Sequence, residues 1–265
     1  MRGDVGVEII CVGNELLIGK VLNTNAQWLC KRITDVGAKV ARITVVGDEL
    51  GAISSAIREA VSRGPEYIIT TGGLGPTSDD KTLQGVAMGL GVGLELNDRA
   101  LRMIRERYEE YARMAVVEKP EMTEPRRKMA MLPRGATPIP NPVGTAPGSL
   151  IEHRGIRIIS LPGVPKEMVA IFDASILPLI RGRVGKAAVY EASFAIRGLV
   201  ESSLAPLIDK VAREFPGVYI KSHPGRVIRI HVMASGKERE GVRRRVEGVC
   251  SRLKELVSEE GGVVD

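Results

Sequence analysis

Three loops carry residues whose types and spacing could do chemistry. The middle one, T-T-G-G-L-G-P-T-S-D-D over residues 70–80, sets Gly72, Gly73 and Gly75 ahead of Thr77 and the adjacent acids Asp79 and Asp80. Glycines let a backbone approach an anion closely, and the free N–H groups of a following helix start favour negative charge. Paired carboxylates beside such a cradle offer hard oxygen ligands to a divalent cation bridging to a phosphate or diphosphate. Capping accounts for part of the same pattern: Thr77 or Ser78 can cap a helix opening near Ser78, and Asp79 and Asp80 would lie in its first turn. The spacing is neither a Walker A loop nor G-x-G-x-x-G. In the first loop, residues 13–19 (G-N-E-L-L-I-G) lead to Asn23-Thr24-Asn25. Glu15 there reads as a carboxylate holding its own turn, as a metal ligand or as a general base. The third loop, N-P-V-G-T-A-P-G over residues 141–148, holds Gly144, Thr145 and Gly148, and is echoed by Pro162 and Gly163 in L-P-G-V-P-K-E over residues 161–167. Thr145 either shapes the turn or contacts a ligand. Asp48 reads as the cap of a helix starting at Glu49.

These loops need elements to position them. Apolar runs over residues 7–13, 39–47 and 66–71 read as strands, separated by helical patterns over 26–36 and 49–62, with a third helix running from about Ser78 to Gly89. Such alternation predicts βαβ units, a parallel sheet covered on both faces, and ligand loops gathered at the strands' carboxyl ends. A charged helix over 97–113 and a connection over 114–125 follow. Strands are then expected over 128–132, 149–153 and 156–161, with a helix over 165–180. Gly182-Arg-Val-Gly185 reads as a linker. Beyond it a strand from Ala187 to 196, a helix over 199–215, two strands joined by His223-Pro224-Gly225 and a last helix over 237–259 give β-α-β-β-α. The expected division is an α/β catalytic domain over 1–181 and a small α+β domain over 186–265.

Composition narrows the function classes. Hydrophobic residues make up 44% and charged residues 26% of the 265 positions, as in a globular chain with a real core. Aromatics at 3% argue against a platform that stacks many bases. Cys11, Cys30 and Cys250 are odd in number and far apart, the pattern of buried thiols in a reducing compartment rather than a disulfide frame. Residues 1–4 do not resemble a signal peptide and no run approaches a membrane span, so a cytoplasmic protein with no membrane partner is expected. The net charge is +6, and residues 99–134 contribute ten basic and six acidic side chains, a balance closer to a solvated helical face than to a nucleic-acid surface. The histidines show no metal spacing.

Taken together, G-N-E-L-L-I-G…N-T-N-A-Q-W-L, T-T-G-G-L-G-P-T-S-D-D-K-T, N-P-V-G-T-A-P-G and L-P-G-V-P-K-E-M resemble the amino-terminal, molybdopterin-binding-like domain of the CinA (competence/damage-inducible protein A) family. The first two loops are shared more loosely with the MoaB/MogA molybdenum-cofactor proteins, and the match spans roughly residues 7–181. The segment R-G-L-V-E-S-S-L and the helix after it are similar to the KH-like domain that follows in CinA proteins. The resemblance implies a three-layer α/β sandwich with a mostly parallel sheet plus a small α+β KH-like domain, assembled as a homodimer. It also implies hydrolysis of ADP-ribose to AMP and ribose 5-phosphate with cobalt, manganese, nickel or magnesium, and with potassium. Longer relatives add a nicotinamide-mononucleotide deamidase domain; with the last residue at Asp265, that activity is expected to be missing. Asn23 stands where relatives often carry Asp.

On that reading Gly72, Gly73, Gly75 and Thr77 cradle a phosphate of a nucleotide diphosphate substrate, and Asp79, Asp80 and Glu15 hold the cation that activates water. Asn25, Gly144, Thr145, Gly148, Pro162 and Gly163 complete the substrate site, the last two loops closing over the nucleoside or ribose. Two alternatives remain at this level. One is a molybdopterin-binding or adenylyl-transfer protein of molybdenum-cofactor assembly. The other is a non-enzymatic RNA-binding module, weakened because the G-x-x-G of residues 182–185 precedes the first strand of its unit instead of joining two helices.

Overall fold

The computed structural model describes residues 5–185 and 188–265. The chain divides into two compact units, parting between Arg183 and Val184, with residues 35–37 grouped with the second.

The first unit contains β1 (Gly6–Val12), α1 (Asn14–Leu17), α2 (Thr24–Asp35), β2 (Lys39–Val46), α3 (Leu50–Arg63), β3 (Tyr67–Thr71), α4 (Thr82–Leu90), β4 (Leu94–Leu96) and α5 (Asp98–Arg113). It continues with α6 (Glu124–Lys128), β5 (Met131–Pro133), β6 (Thr137–Ile139), β7 (Gly148–His153), β8 (Ile156–Leu161), α7 (Pro165–Ile171), a π-turn (Phe172–Ile176) and α8 (Leu177–Val184). Six strands form one sheet in the order β2-β1-β3-β8-β7-β6. The β2-β1-β3-β8 pairs are parallel, and β7 and β6 add antiparallel edges. β4 and β5 pair separately. Strands β1 and β3 are buried along nearly their whole length because both faces are covered, with Glu8 the one charged residue in them. On one face Ile10, Val12, Ile68, Ile158 and Ile151 pack against Ile53 and Ile57 of α3, Val86 of α4 and Ile104 of α5. Alternate residues turn to the other face, where the Tyr67 hydroxyl donates to the Leu179 carbonyl and Asn25 of α2 meets Thr71.

Several element boundaries depart from expectation. The helix after the glycine loop opens at Thr82, not near Ser78, with Lys81 at its N-cap, so Thr77 and Ser78 cap nothing and the two acids lie in the loop. Asp48 is not the cap of α3, whose N-cap is Glu49. A single helical turn, α1, occupies what reads as loop, and α6 begins within the expected connection because Pro125 stands in its first turn, where a missing N–H costs nothing. Lys128 ends that helix and does not open a strand. Residues 182–184 continue α8, so the expected linker is helical. The long helix is interrupted by the π-turn, which places Asp173 within 2.8 Å of Arg32 on α2.

The second unit contains β9 (Ala188–Arg197), α9 (Glu201–Glu214), β10 (Tyr219–His223), β11 (Ile228–Gly236), α10 (Arg239–Glu259) and β12 (Val263–Val264). Ala187, expected to open its first strand, lies outside the described residues. The antiparallel order is β10-β11-β9-β12. Val242, Val246, Val249, Leu253 and Leu256 recur at helical spacing along α10 and bury themselves against Phe194, Ile196, Ile230 and Val232. Among the described residues no helix is long and apolar enough to cross a membrane.

The helices α3 and α4 approach through glycines. A Cβ at Gly85 would stand 2.5 Å from Ile53 Cγ2, and one at Gly89 would stand 2.8 Å from Ile57 Cβ. Alanine favours a helix over glycine by about 1 kcal/mol, whereas overpacking a tight core costs about 1–3 kcal/mol. Gly85→Ala is therefore expected to lower the thermal midpoint, the packing penalty outweighing the gain in propensity; a calorimetric scan showing stabilisation would contradict this packing.

Candidate functional site

The carboxyl ends of β1, β3 and β8 meet at Gly72. Its amide donates to Leu161 of β8 at 3.0 Å, and with φ +107° its Cα sits where a Cβ would collide with the Val12 carbonyl of β1. Gly163 closes the same junction from the β8 side, a Cβ there coming within 3.2 Å of Gly72 Cα. Asn25, from the start of α2, ties it together: its Nδ2 donates to Thr71 Oγ1 at 3.1 Å and to the Gly163 carbonyl at 2.8 Å. The Thr71 hydroxyl in turn donates to the Pro162 carbonyl. A crevice of about 110 Å3 opens here, lined by Cys11, Glu15, Asn25, Thr71, Gly72 and Gly163 among others. Burial pushes the Cys11 thiol up from its ordinary value, against an opposing hydrogen bond with Asn23, so it stays protonated and inert. Glu15 is exposed, its carboxylate folded over Gly13. Asp48 serves this end of the sheet instead of α3. It accepts from the Asn14 amide at 2.9 Å while its own amide donates to Asn14 Oδ1, pinning the turn after β1.

The glycine loop runs over the other side of the junction. Gly73, at φ +63°, packs against Thr82, whose hydroxyl donates to the Gly72 carbonyl at 2.7 Å. Further along, the Asp80 carboxylate accepts from both the amide (2.9 Å) and the hydroxyl (2.6 Å) of Thr77. The donors expected from Thr77 for a phosphate are thus spent inside the loop. Asp79 is exposed, and its carboxyl is held below the ordinary range first by the Thr77 hydroxyl, which it shares with Asp80, then by its own backbone N–H, with Lys128 and Lys81 adding. Lys128, at the end of α6, donates from Nζ to the Thr77 carbonyl. Burial pulls its ammonium below the ordinary lysine value, while Asp80 and Asp79 oppose that shift. Lys128 lines a 190 Å3 crevice with Gly73, Gly75, Asp80 and Met129, and a wider 740 Å3 hollow with Pro76, Ser78, Glu124 and Arg127.

The third loop is held from a distance. Asn141 Oδ1 accepts the amides of Val143 and Gly144, and its Nδ2 donates to Glu167 of α7 at 2.7 Å. From α5, Arg107 donates to the carbonyls of Gly144 and Pro142, and the Tyr111 hydroxyl donates to that of Val143. Gly144 leaves room for the Glu167 carboxylate. Thr145 faces Met129, and Gly148 belongs to β7, packed on the Ser160 carbonyl, so its smallness serves sheet packing.

The expected residues therefore gather as two groups on either side of Gly72-Gly73, with Glu15, Asn25 and Gly163 in one and Gly75 and Asp80 in the other, where Lys128 joins them. The cation-holding trio of Glu15, Asp79 and Asp80 does not assemble. Among the described residues no three His, Cys, Asp or Glu side chains stand together as a metal site would require, and Asp80 is already engaged by Thr77. The three-carboxylate set implied for the cation is therefore not present as a group. Sequence reasoning missed Lys128, Arg107, Asn141, Thr71 and Thr82. The polar Asn141 at the head of a Pro-Gly loop was a usable signal; Lys128 and Arg107 gave none.

The family model described as a probable molybdopterin binding domain matches residues 8–182. A protein of Aeropyrum pernix is 45% identical over 262 residues, covering 97% of this chain and 95% of its own length. Protein PAE0875 of Pyrobaculum aerophilum is 46% identical over 257 residues, covering 94% of this chain and 93% of its own. The crystal structure of CinA from Thermoplasma acidophilum, described as being of unknown function, matches with a TM-score of 0.60 at 39% identity, over 66% of this chain and 98% of that one. The chain belongs to the family of molybdopterin-binding-type domains and, within it, to the CinA proteins.

The bonds to Thr77 make a prediction. A carboxyl lowered by a hydrogen bond in the folded state adds stability above its unfolded value and loses it as the pH falls through the folded one. In Thr77→Val the Asp79 carboxyl is expected to titrate back toward its ordinary 3.8, read by carboxyl NMR; an unmoved titration would separate Asp79 from Thr77.

Proposed function

We propose that the first unit binds a phosphorylated pterin of the molybdopterin class and serves cofactor assembly rather than diphosphate hydrolysis. The observation that carries this reading is the joint at Gly72, with crevices on both sides of it, inside a segment whose family is that of molybdopterin-binding domains. On the glycine-loop side, the amides of Gly73 and Gly75 donate to no described residue. Lys128 has three donors, of which one holds Thr77. Together they offer N–H groups and one positive charge to a phosphate, while the neighbouring Asp80 is kept turned toward Thr77. Asn25 and the Thr71–Pro162 bond hold the opposite wall rigid. Hydrolysis of ADP-ribose would call for a cation, and because Glu15, Asp79 and Asp80 form no three-carboxylate group among the described residues, no step is assigned to one.

The test is retention of molybdopterin, released from a molybdoenzyme, by the full chain in equilibrium dialysis. A parallel assay follows AMP release from ADP-ribose after chelation and re-addition of cobalt, manganese, nickel or magnesium. Binding without AMP release is expected. Lys128→Ala is expected to weaken retention at least tenfold, since a hydrogen bond to a charged group contributes about 1.5–3 kcal/mol. AMP release that returns with metal, with no molybdopterin held, would replace this reading by the diphosphatase one.

A further inference from the structure

The crevice on the β1 side of Gly72 has an unusual donor and acceptor balance. Asn25 spends both protons of its Nδ2 on Thr71 and Gly163. Because the Gly163 carbonyl can only accept, the amide cannot be turned round, and its Oδ1 is left buried with no partner among the described residues. A buried acceptor without a donor is costly, so this oxygen has room for a donor from the crevice, a water or the N–H of a ligand. Glu15 supplies two more acceptors to the same crevice. Both its oxygens stand over Gly13, within 2.5 and 2.7 Å of where a Cβ would be, and neither accepts a hydrogen bond from a described residue. The remaining walls are mixed: Val12, Leu16, Val21, Leu22 and Pro165 supply the apolar part beside Asn23, Thr24 and Thr71, and Val21 and Leu22 are 52% and 83% exposed. At about 110 Å3 the crevice is well below the ~300–1,000 Å3 of a site for a whole drug-sized ligand, the size for one ring system.

We infer that this crevice reads the N–H edge of a 2-amino-4-oxo heterocycle, the edge shared by pterins and guanines, through Glu15 and Asn25. The inference rests on the proposed binding reading and adds its specificity. A ring N–H and the adjacent exocyclic amino group present two parallel donors, which match the two oxygens of one carboxylate as a fork does. A further N–H of the ring system meets Asn25 Oδ1, and Val21 and Leu22 cover the flat face. Adenine offers a single amino group flanked by ring nitrogens that only accept, so it would turn lone pairs toward the Glu15 carboxylate.

The test uses the full chain and 6-hydroxymethylpterin, followed by its own fluorescence, with GMP and AMP as competitors. GMP is expected to displace the pterin at least tenfold more effectively than AMP, the discrimination of one bidentate pair. Glu15→Gln, an exposed and conservative change, is expected to weaken pterin binding about tenfold while leaving the melting temperature unchanged, because it puts an N–H where an acceptor is needed. AMP competing as well as GMP overturns the inference, as does binding indifferent to Glu15→Gln. If molybdopterin is still held and Lys128→Ala still weakens it, only the edge reading falls; if the wild type holds neither pterin nor molybdopterin, both readings fall.

Discussion

The rest of the first unit is arranged around one close approach, the contact between the backbone of Gly72 and the Val12 carbonyl. Three parallel strands end within reach of one another only because the residue after β3 has no side chain and takes a φ of +107°. Hydrogen bonds then follow from proximity: Gly72 to Leu161, Thr82 back to Gly72, Asn25 across to Gly163. Each satisfies a polar group that burial at the strand ends would otherwise leave unpaired. The two crevices are what remains open on either side of this joint.

The sheet below it sets how far the loops can wander. Central strands buried on both faces fix the ends of β1, β3 and β8, and the core of Ile10, Ile68, Ile158 and Ile53 anchors them to α3. A bidentate pair between Arg63 and Glu8, 2.8 Å at each oxygen, secures the same helix to β1 from the opposite end. Binding groups on a rigid frame lose little freedom when a ligand arrives. That is the physical reason for placing the polar residues at strand ends and not on longer excursions.

Much of this was legible in the residues. Long apolar strands such as residues 7–12 and 156–161 announce themselves because burial on both faces demands continuous Val, Ile and Leu. The β-α-β-β-α order of the second unit was also readable, its last helix from Val242, Val246 and Val249 at helical spacing, whereas the two-residue β12 that closes it was not expected. The start of α4 was misread because Thr77-Ser-Asp-Asp80 carries the chemistry of a helix cap but closes as a turn on itself, Asp80 accepting from Thr77 three residues back. Three-residue strands such as β4 and β6 are too short for periodicity to register. At the site the glycine loop, Asn25 and Gly163 were found. Lys128 and Arg107 were not, since nothing within their own helices tells a lysine or arginine that it will meet a carbonyl 51 or 35 residues away. The expected carboxylate trio failed on the same ground: adjacency of Asp79 and Asp80 in the chain says nothing of which neighbour each side chain will choose.

The way the third loop is held has a consequence for motion. Its carbonyls at Pro142, Val143 and Gly144 hang from Arg107 and Tyr111, one turn apart on α5, and not from a strand of the sheet. The partners are neutral carbonyls, so added salt screens them less than it would an ion pair. Loosening them takes displacement of a helix face, a collective movement on the microsecond-to-millisecond scale, where a free loop would flicker in nanoseconds. The loop thus inherits the slow clock of a helix.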